Sequence, residues 1–348
     1  MPMNRIGFAC KYMSPDQTLK KPLLEKLERP LNTKTTTRAW LQRQTTEDAY
    51  ERLWLIVKHN IESIKKLIEY VGSLPEPLRM VRLGSDILPA YTLPVYKRFY
   101  TDEVLDYCDK HLLAAGDVAR KYGVRLSMHP GQFTVLASDN PDIVTNSIEE
   151  FEYHVDIARW MGYGKSFQDF KINVHISGRK GPEGIKAVLP RLSDEARNTL
   201  TIENDENSWG LDASLELEKD VALVLDIHHH WIRTGEYIQP LDSRYQRVID
   251  SWRGVRPVIH YSYSRNEHLP EGYEHNSLPD MAQLLEQGCK KQKLRAHSEY
   301  YPNPVANAWA LSFSESADIM CESKCKNLAS ITLFKQSPYY VPSFHTNI

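Results

Sequence analysis

Residues 221–231 read VALVLDIHHHW. A short apolar run, part of it β-branched, feeds straight into Asp226, His228, His229 and His230, which is the form of a buried parallel strand that ends in a polar site. Seven other segments share the form, a short β-rich apolar run closing on a carboxylate, imidazole or amide in most of them: residues 5–10, 80–86, 124–129, 171–175, 200–205, 258–262 and 318–322. Most are separated by enough chain for a helix. Eight strand-then-helix units predict an α/β fold, a (β/α)8 TIM barrel whose chemistry sits on the carboxyl-terminal rim of the strands. On that rim His129, His175, Glu203, Asp226, His229, His260 and Glu322 would converge on one cup, a metal-site composition.

The 348 residues, 41% of them hydrophobic, suffice for one barrel with elaborations, so the expectation is a single domain spanning residues 1–348. No run of eighteen apolar residues appears, and the amino terminus has no hydrophobic signal core, which predicts a soluble cytoplasmic protein with no membrane partner. The cysteines, Cys10, Cys108, Cys289, Cys321 and Cys325, form no CxxC pair. Reduced thiols are therefore expected in place of a disulfide framework or zinc knuckle. A net charge of −2 neither supports nor excludes nucleic acid, because a basic groove can be offset by an acidic far side.

Along the chain, residues 14–44 form a polar stretch carrying Lys20, Lys21, Lys34, Arg38 and Arg43, read as a basic rim loop able to follow a phosphate backbone. From Thr45, the spacing of Leu53, Ile56, Val57, Ile61 and Ile64 predicts an outer helix to about Val71. Further helices are expected over residues 101–122, stopped by Gly123, and 141–161. After the third strand, His129-Pro130-Gly131-Gln132-Phe133 makes a tight turn that projects an amide and an aromatic ring from the rim. Such a pair suits a nucleic-acid wedge, and a turn with a hydrophobic anchor would look the same. Period two places Glu203 and Asp205 on one side of the fifth strand. Asp226 and His229 lie where the sixth strand is expected to give way to a loop. His268 and His275 read as incidental, and the tail from residue 336 as packing without chemistry.

Seven motifs then appear together: HPGQ at 129–132, VHISG at 174–178, ENDE at 203–206, LDIHHH at 225–230, IHYS at 259–262, AHSEY at 296–300 and DIMCESKCKN at 318–327. In order and spacing the chain resembles the UV damage endonucleases, from about residue 4 to about residue 330. That resemblance implies a TIM barrel related to endonuclease IV, which uses a cluster of manganese or similar divalent ions to cut UV-damaged double-stranded DNA immediately 5′ to pyrimidine dimers and 6-4 photoproducts. It implies metal ligands at His129, His175, Glu203, Asp226, His229, His260, His297 and Glu322. The catalytic group would be Glu203, His229, Glu322 and Lys324. Gln132 and Phe133 match the family's pair that enters the duplex beside a flipped-out lesion, Lys324 would face a phosphate, and Phe8 stands where a lesion-probing tyrosine is usual. Leu93 replaces a further histidine ligand after the second strand, and Val258 stands where members often carry a lysine. Such enzymes work as monomers, nucleoid-associated when on DNA, with no obligate protein partner.

The residue types agree with this chemistry. Imidazoles mixed with carboxylates favour Mn²⁺, Zn²⁺ or Fe²⁺ over the all-oxygen sites of Ca²⁺ or Mg²⁺. Two or three such ions lower the pKa of a bound water from about 16 towards about 7 and stabilise both oxygens of a phosphodiester displacement. Glu203 would bridge them, one oxygen to each. A metal-dependent sugar isomerase or epimerase would use the same ligands but would not need the Gln132-Phe133 pair or the basic loop. An abasic-site endonuclease would differ in lesion alone. A metal-free barrel that only binds damaged DNA would have no use for eight ligand positions.

Overall fold

The computed structural model describes residues 4–340. Its centre is an eight-stranded sheet of β1 (Ile6–Ala9), β2 (Met80–Leu83), β3 (Arg125–Met128), β4 (Lys171–His175), β5 (Leu200–Glu203), β6 (Ala222–Val224), β7 (Val258–Tyr261) and β8 (Asp318–Cys321). The order is β6-β5-β4-β3-β2-β1-β8-β7 and every pairing is parallel. The outermost strands meet through a bridge between Asp226 and His260, with the His260 N–H donating to the Leu225 carbonyl at 3.0 Å, so the sheet closes into a (β/α)8 barrel. None of the helices in the described residues is long and apolar enough to cross a membrane.

Strand alternation sorts the side chains into two cores. Ile6, Phe8, Val81, Leu83, Leu126, Ile172, Val174, Ile202, Leu223, Ile259, Ile319 and Cys321 belong to the large outer core packed against the helices. Ala9, Met80, Ala222, Val224, Val258 and Met320 form a separate inner cluster with Trp252. Gly7 takes the inner alternate of β1, where a Cβ would lie 2.6 Å from the Met80 carbonyl oxygen, so no larger residue fits without moving β2. This parity corrects the assignment of Phe8 as a lesion probe. In register with Val81 and Cys321, it faces the helices and is 1% exposed, out of reach of DNA.

The outer helices follow the 3.6-residue period. Thr46–Ser73 is capped by the Thr45 hydroxyl, which accepts the Asp48 N–H, and buries Leu53, Ile56, Val57, Ile61, Ile64 and Ile68. Asp102–Tyr122 ends at left-handed Gly123, and Pro141–Trp160 starts under the Asn140 side chain. The basic stretch 14–44 is not a continuous loop. It contains helices Lys21–Glu28 and Arg38–Leu41, and the buried Asn60 ties it down by accepting the Lys34 N–H and donating to the carbonyls of Lys34, Asp86 and Ile87. The chain after β6 also departs from expectation, because Asp226 caps a helix, Ile227–Thr234, through the His229 N–H. Of the tail, Gln336 bonds Asn307 and Tyr340 packs on Phe334, while residues 341–348 lie outside the described residues.

The amino-terminal end of the barrel is closed by charge. Asp318, fully buried, accepts from the Arg5 N–H at 2.9 Å, Arg125 Nη1 at 2.7 Å and Arg256 Nε at 2.7 Å, and Arg125 also stacks over Trp252. Asp318→Ala would leave guanidinium groups in the core without their anion and should cost about 3–5 kcal/mol in urea unfolding. A loss under about 1 kcal/mol would show that the plug carries no stability.

Candidate metal centre and rim

Glu203, the last residue of β5, is fully buried and faces imidazoles from four directions. Oε2 lies 3.5 Å from His129 Nε2 and 3.9 Å from His175 Nε2; Oε1 lies 3.5 Å from His229 Nδ1 and 3.1 Å from His260 Nδ1. Three of these rings arrive through the inward parity of β3, β4 and β7, and His229 through the first turn of the helix that Asp226 caps. Burial alone would raise the Glu203 pKa, but His260 and His175 reverse that and hold it well below the carboxylate range. Asn173, one step down β4, donates to Glu203 from beneath.

Asp226 Oδ1 accepts the His229 N–H at 2.7 Å, while Oδ2 is buried without a hydrogen-bond partner. Burial, with Glu203 and Glu322 nearby, pushes its pKa up to about 8. His229 moves to about 10, because Asp226, Glu203 and Glu206 outweigh the burial that would lower it. His129 falls to about 4 by burial. The carboxylates of the centre thus act on its imidazoles and on one another.

The rings are oriented by their second nitrogens. Nδ1 of His129 bonds the Pro130 carbonyl at 2.8 Å, that of His229 the Asn204 carbonyl at 3.1 Å, and that of His297 the Glu322 carbonyl at 2.8 Å, leaving each Nε2 as the available donor to a cation. His175 Nδ1 is 3.2 Å from Asp205 Oδ2. Glu322, just after β8, is 3.3 Å from His260 Nδ1 and pairs with the partly buried Arg82 of β2. The atoms of His129, His175 and Glu203 lie close enough together to share one cation, and those of Glu203, Asp226 and His260 another.

Above this layer opens a cavity of about 270 Å³ lined by His129, His175, His229, His297 and Glu322, with Gln132 on one lip and Arg295 on the other. Five of the eight expected ligands line this cavity, and Glu203, Asp226 and His260 are fully buried. Phe133 stands beside it, 84% exposed, on the edge of a second cavity shared with Leu93. Of the HHH run only His229 faces the centre. His228 bonds the Leu294 carbonyl and stacks on Trp231, and His230 meets Glu236. Lys324 is exposed and does not line the cavity. Two residues on, half-buried Lys326 (φ +48) lies in the field of Cys10, Arg82 and Glu322. His268 and His275 sit outside the cavity lining.

Sequence reasoning misses several residues. Lys171 and Asn173 share the inner face of β4 with His175, and Arg82 that of β2 with Met80, so extending period two inward finds all three. Burial pushes Lys171 down to about 7. Asp205 is visible by the same period without a role. Glu206 arrives by a turn, with Oε2 3.6 Å from His229 Nε2 and Oε1 paired with Arg295, and no sequence period signals either.

Removing the central charge should be visible on its neighbours. In the metal-free protein Glu203→Gln takes away an anion that favours the imidazolium, so the pKa of His229 should fall from about 10 and that of His175 should fall with it. Histidine Cε1–Hε1 NMR titration reads this directly, and unchanged values would place the controlling charge elsewhere.

The family model described as UV-endonuclease UvdE matches residues 4–342. The UV DNA damage endonucleases of Bacillus cereus (strain G9842) and Bacillus anthracis are each 25% identical over 316 residues, covering 87% of this chain and 88% of theirs. The crystal structure of SacUVDE is similar in fold, with a TM-score of 0.71 and 22% identity, covering 95% of this chain and 97% of that one.

Proposed function

This chain belongs to the UV-endonuclease UvdE family, and from that premise we propose that it hydrolyses the phosphodiester immediately 5′ to pyrimidine dimers and 6-4 photoproducts in double-stranded DNA, using two or three divalent cations, Mn²⁺ foremost with Zn²⁺ or Fe²⁺ as alternatives. The observation that carries the reading is one buried carboxylate faced by four imidazoles, with the unpartnered Asp226 Oδ2 beside it. A buried oxygen without a donor is costly, and a cation would satisfy it.

His129, His175, Glu203, Asp226, His229, His260, His297 and Glu322 would hold the ions. Glu203 turns Oε2 to two rings and Oε1 to two others, which supports a bridging role. Leu93 supplies no donor, so the His129 side would have fewer protein ligands. Cations held here would lower the pKa of water and stabilise charge on the attacking and leaving oxygens. The chain's own part is to fix the ligands: Asp205 holds His175, Asn173 holds Glu203 and Arg82 holds Glu322. Glu203, His229 and Glu322 form the proposed catalytic group, and Lys324, on the exposed rim, would meet a phosphate further along the backbone.

Gln132 and Phe133 would occupy the stack vacated by a displaced lesion, one by hydrogen bonding and the other by its ring face. An aromatic ring left 84% exposed favours a polymer that covers it over a free sugar, which binds enclosed.

Incubating the protein and Mn²⁺ with an end-labelled duplex carrying one dimer should give a nick directly 5′ of the lesion with a 3′-hydroxyl; EDTA should abolish it and Mn²⁺ restore it. Cleavage confined to abasic sites would change the substrate, and turnover of a sugar with none on DNA would refute the reading. Phe133→Ala should slow dimer cleavage about 5- to 100-fold through lost stacking, with Mn²⁺ content unchanged by elemental analysis. Equal loss of metal would mean that Phe133 supports the fold of the site instead.

A further inference from the structure

Lys171 opens β4, and its side chain runs up the inside of the barrel. Each inner residue of that strand holds a different part of the centre: His175 meets Asp205, Asn173 meets Glu203, and Lys171 Nζ reaches across to His260 Nε2 at 3.0 Å. Lys171 is 2% exposed and His260 is fully buried. The inner face also carries an apolar cluster, with Met80, Val224, Val258 and Met320 on four other strands, while Ser127 of β3 stands in register with Lys171 and Arg82 of β2 in register with Ser127. Among the described residues Lys171 is the hydrogen-bond partner of His260 Nε2. The opposite nitrogen, Nδ1, is 3.1 Å from Glu203 and 3.3 Å from Glu322. A ring turned over would lose the amine and point carbon at both carboxylates.

We propose that Lys171 is a positioning residue: it locks the His260 ring with Nδ1 toward Glu203 and Glu322, and through that ring sets the affinity of this half of the centre for its cation. The inference rests on the metal reading above. It differs from two plainer roles, a methylene stem that fills the barrel and a cation that balances buried carboxylates.

Equilibrium dialysis of Mn²⁺ against the full chain separates these, with urea unfolding as the check on folding. Lys171→Met fills the same space without bonding Nε2, and should bind Mn²⁺ about 10- to 100-fold more weakly, the range for loss of a group that orients a ligand. Lys171→Gln can still bond Nε2 without a charge and should bind more tightly than Lys171→Met. In the His260→Ala background, adding Lys171→Met should weaken binding no further, because the ring it acts through is gone. Wild-type affinity in folded Lys171→Met, equal loss in Met and Gln variants, or losses that multiply in the double variant would each overturn the proposal. If wild-type protein takes up no Mn²⁺ at all, the metal reading falls and this inference falls with it.

Discussion

A carboxylate cannot remain ionised in a protein interior unless other groups replace the water it has lost. Glu203 sits at the barrel axis with no exposure, and the surrounding architecture supplies that replacement. Four rings from four different elements turn a nitrogen toward it, and Asn173 donates from below. None of these groups is near another in sequence except His175 and Asn173. Only closure of the barrel, completed by the Asp226 to His260 bridge, brings them together. Fold and site are therefore one constraint: the bridge that closes the sheet is made by two of the site's own residues.

The inner face of the barrel carries a gradient of charge along its axis. At the amino-terminal end one aspartate is surrounded by three arginines, one of which lies over the ring of Trp252 in the inner apolar cluster. In the middle, Arg82 and Lys171 point upward from β2 and β4. At the carboxyl-terminal end carboxylates gather around the imidazoles: burial raises the pKa of Asp226, and Asp226, Glu203 and Glu206 raise that of His229. Glu322 lies between Arg82 and His260, and His260 between Lys171 on one nitrogen and the carboxylates of Glu203 and Glu322 on the other. Restricting ligand orientation is the part of metal binding that a protein can arrange in advance.

How much of this is legible in the sequence follows from periodicity. The strands are legible because a parallel strand covered by helices must be apolar along its length and can turn polar only at its tip. Their ends give seven site residues, and motif resemblance adds His297, whose element has no strand pattern. Period two, taken one or two steps inward, also contains Lys171, Asn173 and Arg82. Phe8 misleads because its residue type matches a lesion probe while its parity does not: its neighbours Gly7 and Ala9 take the inner face, so its ring must pack outward. The HHH run continues an apolar strand without any helix-start signal but Asp226, and the helix that this aspartate caps turns His228 and His230 off the centre. Glu206 and Arg295 are invisible for a different reason, since they meet through turns whose geometry is set by the finished fold.

The ligand chemistry by itself does not select a substrate, because imidazoles and carboxylates around divalent ions serve sugars as well as phosphates. Selection must come from the rim. A cavity of about 270 Å³ can admit a phosphodiester and its nearest atoms but not a duplex, whose bases are held in a stack. Bringing the scissile phosphate down to Glu203 would therefore require the local stack to open, and the cost of opening is lowest where bases are already poorly stacked. Gln132 lines this cavity and Phe133 lines the neighbouring one, and an exposed ring there would recover part of that cost by stacking if the stack opened. Damage would then be recognised largely through the energy needed to deform DNA, and the burial of Glu203 below the rim would make that deformation obligatory.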